Sequence, residues 1–155
     1  MRKQKIQEIA PGLVRGVDVQ MPGAAQVYRE NWFEWRATTL RAGMKQSTLA
    51  GGVLNIWKHT PVFAELEYHE DCEMFYFVQG TAIMPFADIK DGKIDMDSVQ
   101  LVRVPAGTQI VIHPGKAHFV AVAQDDTPVT IIVASPAMDA PRLSPTEPLE
   151  GIPEI

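Results

Sequence analysis

From residue 53 onward the apolar positions come in short runs, each closed within a few residues by Gly, Pro or Asp. The runs are Val53–Trp57, Val62–His69, Met74–Val78, Thr81–Asp88, Val99–Val104, Gln109–Ile112, His118–Ala123 and Val129–Ala134. They are rich in β-branched and aromatic residues, and none carries a long 3.6-residue apolar period. The pattern therefore predicts strands with at most one or two short helices. Asp91-Gly92 predicts a turn inside a polar loop. Upstream, Asn31-Trp32-Phe33-Glu34-Trp35 is an aromatic burst, and residues 1–30 read as an irregular arm with short strands, punctuated by Pro11-Gly12 and Pro22-Gly23. Pro136, Pro141, Pro145, Pro148 and Pro153 predict a tail over about 135–155 that stays out of central strands and wraps the surface or crosses to a partner. Together these signals predict one all-β domain over residues 1–155, a barrel or sandwich rather than βαβ units.

Strand alternation places Glu65, Glu67 and His69 on one face of the second run, with Ala64, Leu66 and Tyr68 on the other. Glu73 shares parity with Phe75 and Phe77, and His118 with Val120 and Val122, which favours an enclosed setting for both. Burying charge costs several kcal/mol unless it is paired or ligated. Imidazole and carboxylate converging from separate strands suit a divalent transition metal with open coordination positions. For Glu65 and Glu67 taken alone, a solvent-facing charged strand is the simpler reading. His59 reads as a loop histidine, Cys72 as a small buried or edge residue, and Trp32, Trp35 and Trp57 as core or dimer packing. Lys116 is either a solvated turn lysine or an ammonium offered to a substrate carboxylate at the barrel mouth.

Composition narrows the setting. The chain has 155 residues, 46% hydrophobic and 21% charged, with a formal net charge of −5. Its only basic run is the short Arg2-Lys3-Gln4-Lys5 start, so nucleic-acid binding is disfavoured. No apolar stretch reaches the ~20 residues of a membrane span, and the start lacks the apolar core of a signal peptide. A single cysteine excludes an intramolecular disulfide framework and suits a reducing cytoplasm.

The spacing His69-x3-Glu73-x6-Gly80, followed by Gly107-x7-Gly115-x2-His118, resembles the paired motifs of the cupin superfamily. That resemblance implies a cupin-type double-stranded β-helix, or jelly-roll barrel, with Glu67, His69, Glu73 and His118 pointing inward as metal ligands. Glu67 stands where the superfamily carries the first histidine, and a carboxylate there suits Zn, Mn, Ni or Fe. The alternative is a barrel without metal affinity. Glu65-Leu-Glu-Tyr-His69, Phe75-Tyr-Phe-Val78, Gly80-Thr-Ala82, the Asp-rich loop near Asp88–Asp97 and the His113-x4-His118 pair resemble, more narrowly, the ureidoglycolate lyase family. That likeness implies a homodimer in ureide and purine catabolism, taking a small carboxylate substrate, ureidoglycolate, to glyoxylate and urea. The two histidines of that likeness match His113 and His118, which we take as catalytic candidates, His113 in an acid–base role; Lys116, which the likeness does not supply, is a third candidate through its ammonium. Glu73 stands where those lyases carry glutamine, and Gly115-Lys-Ala replaces a bulky Val-Trp. Another small-molecule cupin enzyme, an isomerase or dioxygenase, and a non-enzymatic sugar- or carboxylate-binding cupin are the alternatives.

Overall fold

The computed structural model describes residues 1–153, and no helix occurs among them. In chain order the strands are β1 (Arg2–Glu8), β2 (Val17–Gln20), β3 (Gln26–Glu30), β4 (Phe33–Ala37) and β5 (Leu49–Ile56). Then follow β6 (Val62–Phe63), β7 (Leu66–Glu67), β8 (Glu73–Gln79), β9 (Thr81–Lys90), β10 (Lys93–Pro105) and β11 (Gln109–Ile112). The last are β12 (Ala117–His118), β13 (Val122–Ala123), β14 (Val129–Pro136), β15 (Arg142–Leu143) and β16 (Leu149–Ile152).

Two sheets carry the fold. The larger runs β15-β7-β12-β9-β10-β1-β16-β6, with β13 also on β9, and the smaller runs β2-β11-β8-β14-β5. Strands β3 and β4 form a separate hairpin. The expected turn at Asp91-Gly92 joins β9 to β10, and both residues hold positive φ, 51° and 73°. That geometry matches the right-handed twist of the flanking strands. Inward positions of β8 alternate as expected: Glu73, Phe75 and Phe77 are buried while Met74 and Tyr76 are half-buried. Phe77, Ile110 and Ile131 of the smaller sheet pack with Met84, Phe86 and Val102 of the larger in one core. A second cluster gathers Ile6, Phe63, Leu66, Leu101 and Leu149. Burying such side chains is worth about 1.5–3 kcal/mol each, the main term that holds the sheets together.

Several sequence expectations change here. The run 62–69 is not one strand, because the chain bends at Ala64 and leaves β6 and β7 on separate neighbours. Alternation therefore does not carry from Glu65 to Glu67: Glu65 is exposed and pairs with Arg142 at 2.9 Å, while Glu67 is partly enclosed. The run 118–123 likewise splits into β12 and β13. The Pro-rich tail, whose last two residues lie outside the described ones, contributes β16 to the interior of the larger sheet, paired with both β1 and β6. The reason is local: Leu149–Ile152 lies between Pro148 and Pro153, and Pro148 accepts a hydrogen bond from the Arg2 N–H (2.8 Å) instead of needing to donate. Residues 2–8 of the N-terminal arm form the regular strand β1, parallel to β10 and to β16. Trp32, Trp35 and Trp57 are exposed rather than in the core. No helix among the described residues is long and apolar enough to cross a membrane.

Gly80 ends β8 with φ +76°, and a Cβ there would stand 2.5 Å from the Pro128 carbonyl oxygen. Gly80→Ala is expected to destabilise the fold by about 1–3 kcal/mol through combined backbone strain and clash. A urea denaturation midpoint equal to the unsubstituted protein's would contradict this account.

Candidate metal centre

Glu67 lies directly opposite His118 in the antiparallel β7–β12 pair. Opposed residues leave a sheet on the same face, so these two side chains enter the barrel together. His69 follows two residues beyond Glu67. Glu73 arrives from the facing sheet, at the start of β8 opposite Ile112. The Gly115 N–H donates to the His69 carbonyl at 2.8 Å, which ties the turn after β11 to the segment after β7. Gly115 has φ +79°, a conformation that suits glycine at this turn.

The four side chains meet closely. Glu73 Oε2 stands 2.9 Å from His118 Nε2 and 3.0 Å from His69 Nε2, while Glu67 Oε1 is 3.9 Å from both. Donor atoms of Glu67, His69 and His118 all lie within 4.8 Å of one another. His69, Glu73 and His118 are buried, and Glu67 is partly so.

The outer nitrogens decide what the inner ones can do. His69 Nδ1 lies 2.9 Å from the Asp139 carbonyl and His118 Nδ1 2.9 Å from the Lys116 carbonyl. A carbonyl only accepts, so each Nδ1 carries hydrogen and donates it. In the neutral ring each Nε2 then presents a lone pair to the interior. His69 Nε2 is buried without a hydrogen-bond partner, since its 3.0 Å approach to Glu73 is a charge contact and not an aligned bond. Two lone pairs and a carboxylate facing one another in a buried space require a proton or a cation between them. Imidazoles fixed at Nδ1 by carbonyls, with carboxylates beside them, match the donor set and supporting hydrogen bonds of a divalent-metal site. The residues fit the metal the spacing implied.

Electrostatics of the metal-free site follow from the same contacts. Burial pushes the Glu73 carboxyl up, but the adjoining His118 and His69 outweigh it and hold it at about 2. Burial pushes the His69 imidazole down, yet the facing Glu73 carboxylate and the Asp139 carbonyl leave it raised above 6.5.

His113 and Lys116 do not join the four. His113 Nε2 pairs with Asp18 Oδ2 at 2.7 Å, both side chains well exposed. Lys116 is buried, neither solvated nor aimed at the site: its Nζ donates to Asp88 Oδ1 at 2.9 Å, and Asp88 also takes Arg15 at 2.7 Å. The register explains the pairing, since Ala117 opposes Ala87 and the next step outward sets Lys116 against Asp88. Two contributors escaped the sequence reading. Asp139 acts through its backbone carbonyl, which no side-chain pattern announces. Asp71 is buried and accepts the N–H groups of Lys45, Gln46 and Cys72, which pins residues 45–46 against the loop between His69 and Glu73. Burial pushes its carboxyl up, but those three N–H groups hold it below the usual range. Cys72 is buried, as expected.

Glu67, Glu73 and His118 line a cavity of about 230 Å³ whose other walls include Gly51, Gly52, Leu54, Phe75 and Val133. His69 also borders a second cavity of about 470 Å³, with Lys45, Tyr68 and Asp139.

Two curled sheets, antiparallel except where β1 runs parallel to β10 and β16, enclose a His/Glu cluster and form a cupin-type β-barrel. No protein-family model matches the sequence, and no curated protein sequence matches it. Among solved structures, dTDP-4-dehydrorhamnose 3,5-epimerase from Elizabethkingia anophelis is similar in fold, with a TM-score of 0.51 over 84% of this chain and 74% of its own, at 11% identity. Oxalate decarboxylase from Bacillus subtilis, which has Mn(II) centres, aligns at a TM-score of 0.45 over 63% of this chain, at 18% identity. This chain spans about a quarter, 24%, of that protein's length.

The two shifted groups predict how the metal-free protein responds to pH. Glu73, with its pKa depressed, stabilises the fold above 4.5 and loses that contribution as pH falls toward about 2. His69, with its pKa raised, contributes fully below 6.5 and loses it as pH rises through the folded value. Chelator-treated protein should therefore melt lower on either side of this window. Added Zn or Mn should raise the melting temperature most on the alkaline side, where the imidazole is free of its proton. A melting profile indifferent to metal at every pH would count against the site.

Proposed function

We propose that this chain is a metal-dependent enzyme of small-molecule metabolism whose reaction is the cleavage of ureidoglycolate to glyoxylate and urea. The observation that carries the metal part is the pair of buried Nε2 atoms turned inward on Glu73, each imidazole locked at Nδ1 by a backbone carbonyl. The ordered motifs from Glu65 to His118 support the substrate. Glu67, His69, Glu73 and His118 would hold the ion, for which Zn, Mn, Ni and Fe all suit the N/O donor set. When bound, such an ion supplies Lewis-acid polarisation of carboxylate and hydroxyl oxygens and lowers the hydroxyl pKa.

The chain's own groups do the rest. Cleavage requires the carbinol hydroxyl to lose its proton as C–O becomes C=O, while the C–N bond breaks and the urea nitrogen gains a proton. Glu67 is the least buried of the four and lines the cavity, which supports it as the group that takes the hydroxyl proton on the carboxylate oxygen not holding the ion and returns it to nitrogen. Leu54, Phe75 and Val133 form apolar walls that limit water and strengthen each charge interaction inside. Lys116, held by Asp88, and His113, held by Asp18, take no part in this scheme.

One observation favours a second reading. The cavity's lining includes neither Lys nor Arg, so a substrate carboxylate has no side-chain cation to meet there. A less anionic substrate handled by the same four residues, in an isomerase, a dioxygenase or a sugar-binding cupin, fits that lining. Glu73 in place of glutamine points the same way. The buried, unpaired Cys72 supports a reducing compartment.

Two measurements separate the readings. Glyoxylate release from ureidoglycolate should appear with at least one of Zn, Mn, Ni or Fe, and silence with all four would end the lyase reading while leaving the metal site standing. His118→Ala is expected to lose bound metal and turnover together. Glu67→Gln should lower kcat by about 10²–10⁴-fold, the usual worth of a positioned acid–base group. His113→Ala should leave both metal content and kcat unchanged.

A further inference from the structure

We propose that the cavity between the β3–β4 hairpin and the outer face of the smaller sheet binds a small monocarboxylate, at a site separate from the metal centre. Neither the metal nor the lyase reading enters into it: the sheet register brings a row of hydrogen-bond donors under the hairpin, and no carboxylate lines the space they share.

Gln109 of β11 lies directly opposite Gln20 of β2 on one side and Tyr76 of β8 on the other. Opposed residues leave a sheet on the same face, so the three stand abreast. Their chain neighbours Val19, Ile110 and Phe75 point into the barrel core, which puts Gln20, Gln109 and Tyr76 on the outside. Glu73 shares parity with Phe75, so the metal ligands lie across the sheet from this row. Gln20 is nevertheless only 5% exposed, because the Thr39 segment that follows the hairpin closes over it.

Hydrogen bonding fixes which way each amide points. Gln20 Oε1 accepts the Thr39 N–H at 2.6 Å and the Thr39 hydroxyl at 2.8 Å, which fills its two lone pairs. A backbone N–H only donates, so the acceptor there is the oxygen. Gln20 therefore turns its NH2 toward β11, where one hydrogen reaches Gln109 Oε1 at 3.3 Å. The second N–H of Gln20 and both of Gln109 are left to donate, and the Tyr76 hydroxyl is a further donor. Arg36 donates through Nε to Glu34 at 2.5 Å, which leaves its two terminal NH2 groups. Glu34 also takes Arg29 at 2.6 Å, so two guanidiniums share one carboxylate and one positive charge is in surplus.

Gln20, Gln109, Tyr76 and Arg36 line a cavity of about 260 Å³. Its rim is tight where Pro22 meets Gly107, at which a Cβ would stand 3.2 Å from the Pro22 Cβ. No Asp or Glu lines it, whereas the metal cavity holds two carboxylates and no Lys or Arg. Donors without acceptors call for a ligand made of acceptors, because a buried amide left unfilled is costly. Charge then selects among such ligands. One surplus guanidinium balances one negative charge, while a phosphate monoester carries about −1.5 to −2 and would stay partly unpaired. A planar carboxylate also matches the guanidinium fork, two oxygens on two N–H groups. Its remaining lone pairs suit the Gln109 amide and the Tyr76 hydroxyl. Drug-sized ligands take roughly 300–1,000 Å³, so this smaller space suits a short organic acid.

The test uses the full chain, with acetate as the probe and isothermal titration calorimetry as the readout. Acetate should bind saturably at one site per chain, and neutral acetamide should not bind. Acetate binding should survive chelator treatment, since the site lies across the sheet from the metal ligands. Gln109→Leu and Arg36→Gln should each weaken acetate about tenfold or more, the worth of a lost hydrogen bond to a charged group, with bound metal unchanged. Gln109→Glu should abolish binding, because its own carboxylate takes up Arg36. A readout without any substitution is modification of Arg36 by phenylglyoxal, mapped by mass spectrometry, which saturating acetate should suppress. No saturable acetate binding overturns the proposal, as does binding lost with chelator, which would put the carboxylate on the metal. Phosphate bound more tightly than acetate overturns the monocarboxylate assignment. Acetate affinity indifferent to both Gln109→Leu and Arg36→Gln, or an Arg36 that acetate fails to shield, overturns the location.

Discussion

Everything at this site depends on one carboxylate. Glu73 is set by β8 into the space between two sheets, where an unpaired charge costs several kcal/mol, and two imidazoles from the facing side converge on the same oxygen. Each imidazole is itself held from behind by a backbone carbonyl, so neither ring can rotate to relieve the crowding. The arrangement is a trap for positive charge. The same contacts hold the Glu73 carboxyl at about 2 and raise the His69 imidazole above its ordinary value. A divalent ion held here would meet the inward-facing Nε2 lone pairs of His69 and His118.

How much of this could be read from residues depends on which force positions each one. The strands β8, β9, β11 and β14 lie within a few residues of the apolar runs, because their side chains are sorted by burial and burial writes itself into sequence as alternation. The meeting of Glu67, His69, Glu73 and His118 was likewise legible from spacing. Bends are not written that way. The break at Ala64 decides that Glu65 faces Arg142 and Glu67 faces the barrel, although both glutamates sit two apart in an unbroken-looking run. Lys116 was misplaced for a related reason: its partner Asp88 is 28 residues away and is chosen by the register of β9 with β12.

The least legible contribution comes from the tail. A density of prolines signals few regular ladders, a reading that β15 and β16 overturn, and it says nothing of where the carbonyls between them point. Asp139 lies in that segment and accepts from His69 Nδ1, the Pro141 carbonyl accepts from the Tyr68 N–H, and β15 pairs with β7. Arg142 then reaches Glu65 and stacks over Phe119, the residue after His118. A proline-rich stretch is well suited to this task. Its carbonyls are not consumed by a ladder, and its restricted backbone holds them still at low entropic cost.

That division of labour bears on how the chemistry could vary on this barrel. The sheets supply the four donors, whereas the tail and the turn at Gly115 fix the orientation of His69, and neither of the latter contacts the cavity walls formed by Leu54, Phe75 and Val133. Changes to those walls would alter which molecule fits while leaving the donors in place. The converse holds for the tail, where a shift of the Asp139 carbonyl would free the His69 ring without moving Leu54, Phe75 or Val133, although it would reshape the larger cavity that Asp139 and His69 border. The groups that orient His69 and the walls of the Glu67–His118 cavity therefore belong to different segments of the chain, and that cavity's lining holds two carboxylates and neither Lys nor Arg.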